Sequence, residues 1–127
     1  MKQEYNLDLE CITKILKYTK AISDAYTMFE ITNVEGLKRN HVCQLAVTQA
    51  ITNIHEIKKR MSQDVLVQMP LFGKIGLKAV RNIASHDYDS LDFGIIFRRT
   101  RQLLASEVNK ELEEAKNGIE RSQADDS

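Results

Sequence analysis

The amino-acid sequence predicts an all-α protein, a four- to five-helix up-and-down bundle. Apolar residues return at steps of three and four along most of the 127 residues, and this is the period of an amphipathic helix rather than of a strand. The composition includes a single Pro and five Gly, and the recurrence of Leu, Ile, Ala, Lys and Glu favours helix over strand. Brief polar segments separate the periodic stretches, as expected for the loops of a helical bundle.

Two long helices are predicted in the N-terminal half. Residues 7–29 carry a periodic apolar face, and Asn6 or Asp8 can cap the start of that helix. Polar residues 32–36 predict a turn. A second long helix is expected over residues 37–61, with these residues near one face: Leu45, Ile51, Ile54, Ile57 and Met61.

Shorter helical patterns follow. Ser62 with Asp64 predicts a new N-cap and a short helix that ends before Pro70. The next helix is predicted over residues 72–85, although Gly73 and Gly76 weaken its first turn.

The last helix is predicted over residues 91–115, on a stripe that comprises Phe93, Phe97, Thr100, Leu104, Val108, Leu112 and Ala115. Asn117-Gly118 is expected to end this helix. The predicted division is therefore one bundle over residues 1–116 and a flexible acidic tail over residues 117–127.

Charge and cysteine content limit the classes of function. The formal net charge is zero, and residues 106–127 carry seven acidic and three basic side chains. A protein that binds nucleic acid by bulk electrostatics is normally more basic, so an RNA substrate would require a local basic patch or a dimer that doubles it. Cys11 and Cys43 lack metal-site or redox spacing and are expected to be reduced thiols. No apolar run of a signal peptide or a membrane span is visible, so we expect a cytoplasmic protein without membrane contact.

The most informative segment spans residues 80–88, which read Val-Arg-Asn-Ile-Ala-Ser-His-Asp-Tyr. It resembles the Arg-x-x-x-x-His motif of HEPN domains and, more narrowly, the Arg-Asn-x-x-x-His-x-Tyr signature of HepT-like ribonuclease toxins. The resemblance also includes Glu56 in the second long helix and the Tyr-Asp-x-Leu-Asp run at residues 88–92. The chain departs from many relatives at Lys74, where they have Trp, and at His55, where they have Gly.

The resemblance implies a fold, an activity and partners. It implies a HEPN-like homodimer that acts as a metal-independent endoribonuclease without a cofactor, as the toxin of a toxin–antitoxin pair. Arg81 and His86 would be the catalytic residues and Asn82 would orient the imidazole. Tyr88 would accept AMP from a nucleotidyltransferase antitoxin.

Elementary chemistry agrees with these roles. RNA cleavage requires deprotonation of a ribose 2′-OH, stabilisation of the phosphate charge and protonation of the leaving 5′-oxygen. The imidazole of His86 can act as base or acid near neutral pH, and the guanidinium of Arg81 stays charged and matches two phosphate oxygens. Such a site requires no metal. AMP groups on Tyr88, two residues from His86, would repel an RNA phosphate.

Helix geometry constrains how the pair could meet. Positions five apart lie roughly 140° apart around a regular helix, so Arg81 and His86 would not share a face. Either the Arg side chain wraps round, or the helix distorts near His86, or the pair works across a subunit interface. Asn82 lies one turn before His86, where its amide could hydrogen-bond the imidazole.

Less specific interpretations compete with these roles. Arg and His near a helix end often satisfy terminal carbonyls and the helix dipole, and a Tyr in the position of Tyr88 often packs its ring with the hydroxyl in water. In the predicted helix, Lys74 and Lys78 lie two turns and one turn before Arg81, on the same face. These lysines either extend a phosphate-binding strip or form a solvated face. A cluster of three arginines could extend the strip or be merely solvated: Arg98, Arg99 and Arg101.

Other motifs carry no function. His41-x-Cys43 with His55-Glu56 lacks zinc-site spacing, and Gly73-Lys74 lacks the rest of a phosphate-binding loop. The consecutive residues 85–87, Ser-His-Asp, point in different directions and cannot form a hydrolytic triad. The alternative to a nuclease is a non-catalytic helical partner of a nucleotidyltransferase, with its cleft as a docking surface, and the neutral net charge favours it.

Overall fold

The computed structural model describes residues 2–77 and 91–125, with side chains from Leu7 onward. Within these ranges the chain forms seven helices and no strand: α1 (Lys2–Met28), α2 (Val34–Lys38), α3 (His41–Lys58), α4 (Gln63–Val67), α5 (Pro70–Lys74), α6 (Phe93–Leu103) and α7 (Ser106–Asp125). The predicted all-α class is confirmed for this part of the chain. None of these seven helices combines the length and the apolar composition that a membrane-spanning helix requires.

The core forms where the apolar face of α1 meets α3 and α7. α1 packs most extensively against α3 and next against α7, while α5 lies on α7 and α2 lies on α6. One continuous cluster of buried side chains joins these helices, with Ile15, Ile54 and Leu112 each fully buried. Burial of apolar area on this scale is the main source of stability in a helical bundle.

The start of α1 differs from the prediction. α1 begins at Lys2, so Asp8 lies inside the helix and is not its cap. The Asp8 side chain is 1% exposed and accepts hydrogen bonds from the backbone N–H of Ser62 at 2.9 Å and from its Oγ at 2.7 Å. Ser62 is the N-cap of α4, as predicted, and its side chain accepts from Val65 N–H. Asp8 therefore supports the start of a helix that lies 54 residues away along the chain.

The second long helix is shorter than predicted. Asn33 caps the short helix α2, and Asn40 then caps α3 with a side-chain bond to Cys43 N–H. Four of the five residues predicted for its buried face are buried: Ile51, Ile54, Ile57 and Met61, the last of which lies beyond the end of α3. The fifth, Leu45, is 56% exposed. Leu45 lies nine positions before Ile54, which is roughly 180° around a helix, so the two cannot share a face.

The C-terminal helix is divided and longer than predicted. A break at Leu104 and Ala105 separates α6 from α7, while the apolar stripe continues across it. The predicted end at Asn117-Gly118 is wrong, because α7 continues to Asp125 and buries Ile119. The helix continues because Ile119 extends the stripe of Leu112 and Ala115 by one more turn.

Candidate functional site

Five of the six predicted site residues lie outside the described residues: Lys78, Arg81, Asn82, His86 and Tyr88. Their segment, residues 78–90, is bounded by Leu77 and Leu91. Leu77 is buried and Leu91 packs against the core. The described part of the site therefore consists of these two flanks and the side chains around them.

A carboxylate from α7 fixes the helix that precedes the segment. Pro70 begins α5, and the N-cap residue Met69 makes no side-chain capping bond. The Glu111 carboxylate instead accepts from the backbone N–H of Leu71 at 3.0 Å and of Phe72 at 2.9 Å. These N–H groups have no partner within the helix itself, and the negative charge also suits the helix N-terminus. Phe72 is fully buried directly behind them.

An ammonium group from α3 fixes the other end of α5. Lys58 Nζ donates to the carbonyl oxygens of Gly73 at 2.9 Å, Ile75 at 3.2 Å and Phe72 at 3.4 Å. It also lies 5.2 Å from the centroid of the Phe72 ring. Burial lowers the pKa of Lys58 from its usual value, because removal from water penalises the charged form. Three donors on the ammonium thus meet three carbonyls at a helix C-terminus, where a cation is favoured.

This contact also explains why the helix predicted over residues 72–85 is wrong at residues 75–77. α5 ends at Lys74, and Ile75 adopts an extended conformation with φ −69° and ψ 113°. Carbonyls that would accept from the next helical turn accept from Lys58 instead. Lys74 is therefore not followed by a continuous helix, so it does not share a helical face with Lys78 and Arg81 as predicted.

A cleft of about 380 Å³ lies between the C-terminal end of α3 and the residues that follow α5. We name it the α3–α5 cleft; its described lining comprises His55, Lys58, Lys59 and residues 73–77. Three lysines and a histidine are among these residues, and none of them is acidic. A carboxylate outside the lining, that of Glu56, pairs with Lys59 at 3.1 Å. The cleft is thus a local basic surface on a chain of zero net charge.

Two other expectations concern residues near the site. Glu56 is exposed, and its described contact is the ion pair with Lys59. None of the three arginines of α6 lines the α3–α5 cleft. Arg101 lies 5.7 Å from the centroid of the Phe97 ring, and Arg99 donates to Gln102. Whether they extend a strip that includes Lys78 and Arg81 stays a prediction, because those two residues lie outside the described part of the chain.

The flank after the segment is fixed by a local cap. The Asp92 side chain accepts from Gly94 N–H at 2.9 Å and from Ile95 N–H at 3.2 Å, so α6 begins at Phe93. Further along α6, Thr100 Oγ1 donates to the Phe97 carbonyl and therefore accepts from the Tyr26 hydroxyl. Both flanks of residues 78–90 are thus fixed to the bundle by polar contacts as well as by packing.

The described residues contain no group of three or more His, Cys, Asp or Glu side chains that could hold a metal ion. His41 is exposed and Cys43 is buried, so the pair does not face a common ligand. Cys11 and Cys43 are both free and buried, and burial raises the pKa of both thiols.

No pattern in the sequence indicated the roles of Lys58, Lys59 and Glu111. Lys58 and Glu111 contact backbone groups 14 to 17 and 39 to 40 residues away, and no local pattern reports such distances. One weak signal was present for Lys58. It lies one turn after Ile54, on the face of α3 that also carries Ile57, and a lysine on a buried face indicates that its charge has a partner inside the protein.

Comparison with known proteins found no match to this chain among family models, curated proteins or solved structures. The resemblance noted above therefore depends on the residues of the chain themselves, and above all on the spacing of Arg81, Asn82, His86 and Tyr88.

Proposed function

We propose that this chain is a metal-independent endoribonuclease that acts as a homodimer and serves as the toxin of a toxin–antitoxin pair. The observation that carries the proposal is the Arg-Asn-x-x-x-His-x-Tyr spacing at residues 81–88. An arginine and a histidine five apart mean little alone. The complete set, in an all-helical chain of this length, resembles the HepT-like signature at four positions.

The proposed reaction uses the 2′-OH of the RNA itself. His86 takes the 2′-OH proton, the 2′-oxygen bonds to phosphorus, and the bond from phosphorus to the 5′-oxygen breaks. The leaving 5′-oxygen receives a proton from an imidazolium, which is His86 or its copy in the partner subunit. Arg81 stabilises the charge on the phosphate oxygens, and Asn82 orients the imidazole. The products are a 2′,3′-cyclic phosphate and a 5′-hydroxyl, and neither step needs a metal or a cofactor.

The described surroundings support this proposal in two ways. The helix before the segment is held at both ends by ionic side chains from other helices, Glu111 and Lys58. Reacting groups must be held closely in position to be effective. The α3–α5 cleft also provides the local positive charge that an RNA-binding protein of zero net charge requires.

The partners follow from the same resemblance. A homodimer would allow Arg81 of one subunit to meet His86 of the other, which removes the difficulty that the two lie roughly 140° apart on a regular helix. A nucleotidyltransferase antitoxin would transfer AMP to Tyr88. The phosphates of the added AMP groups would repel the RNA backbone, and the bulk of these groups would block the access of RNA to His86.

The test is incubation of the purified protein with a single-stranded RNA in EDTA. Wild type should produce 5′-hydroxyl and 2′,3′-cyclic phosphate ends, and an RNA with 2′-deoxyribose at the cut position should resist. Arg81→Ala and His86→Ala should each abolish cleavage, because loss of one charge-stabilising donor alone typically costs about 2.7–4 kcal/mol of barrier. Arg121→Ala and His41→Ala are the matched controls, since both positions are exposed, and they should cut at the wild-type rate. Absence of cleavage by wild type, or normal cleavage by both site variants, would refute the proposal.

The neutral net charge favours a second candidate, a non-catalytic helical partner for a nucleotidyltransferase. Expression of the chain alone in a bacterium separates the two functions. Growth arrest that disappears with His86→Ala supports the nuclease, whereas harmless expression of wild type supports the docking partner.

A further inference from the structure

The α3–α5 cleft contains lysines of two different kinds. The Lys58 ammonium is already satisfied by the carbonyls of Phe72, Gly73 and Ile75. It contributes positive charge to the cleft but has no proton left for a ligand. Lys59 and Lys74, by contrast, are exposed, and their ammonium groups can reach an anion in the cleft.

The ion pair of Lys59 does not prevent this. Lys59 and Glu56 are separated by 3.1 Å, with side chains 48% and 55% exposed. Exposed pairs of this kind contribute little to stability, so the Lys59 ammonium can exchange the carboxylate for a phosphate at little cost. Lys74 has no described ion pair, and no acidic side chain is among the described residues that line the cleft.

The chain itself ties the cleft to the proposed catalytic residues. Leu77 lines the cleft, and Arg81 is four residues further along the chain. Four residues extend over at most about 14 Å, which is an upper limit for any conformation of the backbone. The cleft is therefore within reach of nucleotides that neighbour a linkage held by Arg81.

We propose that the α3–α5 cleft binds the backbone phosphates of RNA next to the scissile linkage, with Lys59 and Lys74 as the phosphate ligands and Lys58 as a structural cation behind them. This inference rests on the proposed ribonuclease function and identifies where the RNA strand binds next to the catalytic residues. Contacts to phosphate position a strand without reading its sequence, so this cleft contributes affinity and register rather than base specificity.

The experiment measures binding and not cleavage. A fluorescently labelled single-stranded RNA is titrated with His86→Ala protein in EDTA, and anisotropy gives the affinity at several KCl concentrations. Each phosphate contact on a single strand contributes about 0.7 to the slope of log affinity against log salt. Lys59→Gln and Lys74→Gln, each added to His86→Ala, should lower the slope by about 0.7, and the double substitution by about 1.4.

The matched control is Lys20→Gln in the same background. Lys20 is also an exposed lysine paired with a carboxylate, Asp24 at 2.9 Å, but it is not part of the cleft lining. It should leave the slope unchanged. Circular dichroism checks that each variant retains its helix content.

The outcomes separate this inference from the nuclease proposal. If Lys59→Gln and Lys74→Gln change the slope no more than Lys20→Gln, or if the protein binds no RNA, the cleft is not a phosphate site, even if wild type cuts RNA. If wild type fails to cut but the two cleft variants lower the slope, the cleft assignment stands and the catalytic assignment falls.

Discussion

Replacement of Lys58 by Met tests whether a single ammonium holds the end of α5. The substitution keeps an unbranched aliphatic side chain and removes the three donors, so the carbonyls of Gly73, Ile75 and Phe72 lose their partner. Hydrogen bonds to charged groups contribute about 1.5–3 kcal/mol each. Here the 2.9 Å bond is the strongest and the 3.4 Å bond the weakest.

Two effects reduce the loss. The burial that lowers the pKa of Lys58 also costs free energy in the folded wild type and so opposes the stabilisation by the three hydrogen bonds. After the substitution, water can reach the carbonyl of Gly73, which is exposed. We therefore expect a net loss of about 2 kcal/mol in the free energy of unfolding, which is well below the sum for three bonds and near the lower end of the range for one. Helix circular dichroism during urea unfolding measures it. With a denaturant slope of about 1–3 kcal/mol/M, the midpoint should fall by roughly 1 M.

Lys59→Met is the control, because it removes the adjacent, exposed lysine of the same helix end. Its unfolding free energy should change by less than about 0.5 kcal/mol. Lys58→Arg should recover only part of the loss, since a planar guanidinium cannot direct its donors at three convergent carbonyls as an ammonium does. Equal urea midpoints for Lys58→Met and Lys59→Met would refute this account of α5.

Two further predictions concern α1. Glu30 has a left-handed φ of 55° and lies at the end of α1, where Ile31 N–H donates to the Tyr26 carbonyl at 2.8 Å. Because Gly adopts this conformation without strain, Glu30→Gly should raise the free energy of unfolding by about 0.5–1 kcal/mol. Glu30→Ala keeps the Cβ and should not raise it. Burial raises the pKa of Tyr26 to about 12 from an ordinary 10, against a smaller opposing effect of its hydrogen bond to Thr100. The folded state holds this proton more tightly than the unfolded state, so the stabilisation is complete below pH 10 and is lost as the pH rises through 12. Urea unfolding at pH 7, 9 and 11 should show a smaller alkaline loss for Tyr26→Phe than for wild type, and an identical loss in both would exclude Tyr26 as the cause.

Local patterns account for the parts of the prediction that hold. The apolar period of α1, α3 and α7 follows from the spacing of side chains along each segment, so the all-α class and most of the buried face could be read from the chain. Ser62 was identified as an N-cap for the same reason, because the bond to Val65 N–H joins neighbouring residues. The Arg81 to Tyr88 motif is also a local pattern, and its proposed chemistry depends on residue types rather than on the fold.

Local patterns failed where a helix ends for reasons outside its own segment. The stripe through Thr100, Leu104 and Val108 gave no sign of the break at residues 104–105, because the apolar period continues across it. Residues 72–77 read as the first turns of a long helix, but Lys58 takes the carbonyls that the next turn would have used. Asn117-Gly118 has the composition of a helix end, yet α7 continues and buries Ile119.

Only the packing of the bundle decided which polar groups meet. Asp8 suits a helix cap by composition, and it does serve a helix start, but that of α4, reached across the bundle at Ser62. Glu111 and Lys58 likewise find backbone partners on α5 that are distant in the chain. A buried or half-buried charge must be satisfied by whichever group the apolar contacts bring within about 3 Å of it. Periodicity describes one helix at a time, whereas this choice of partner depends on how all of them pack.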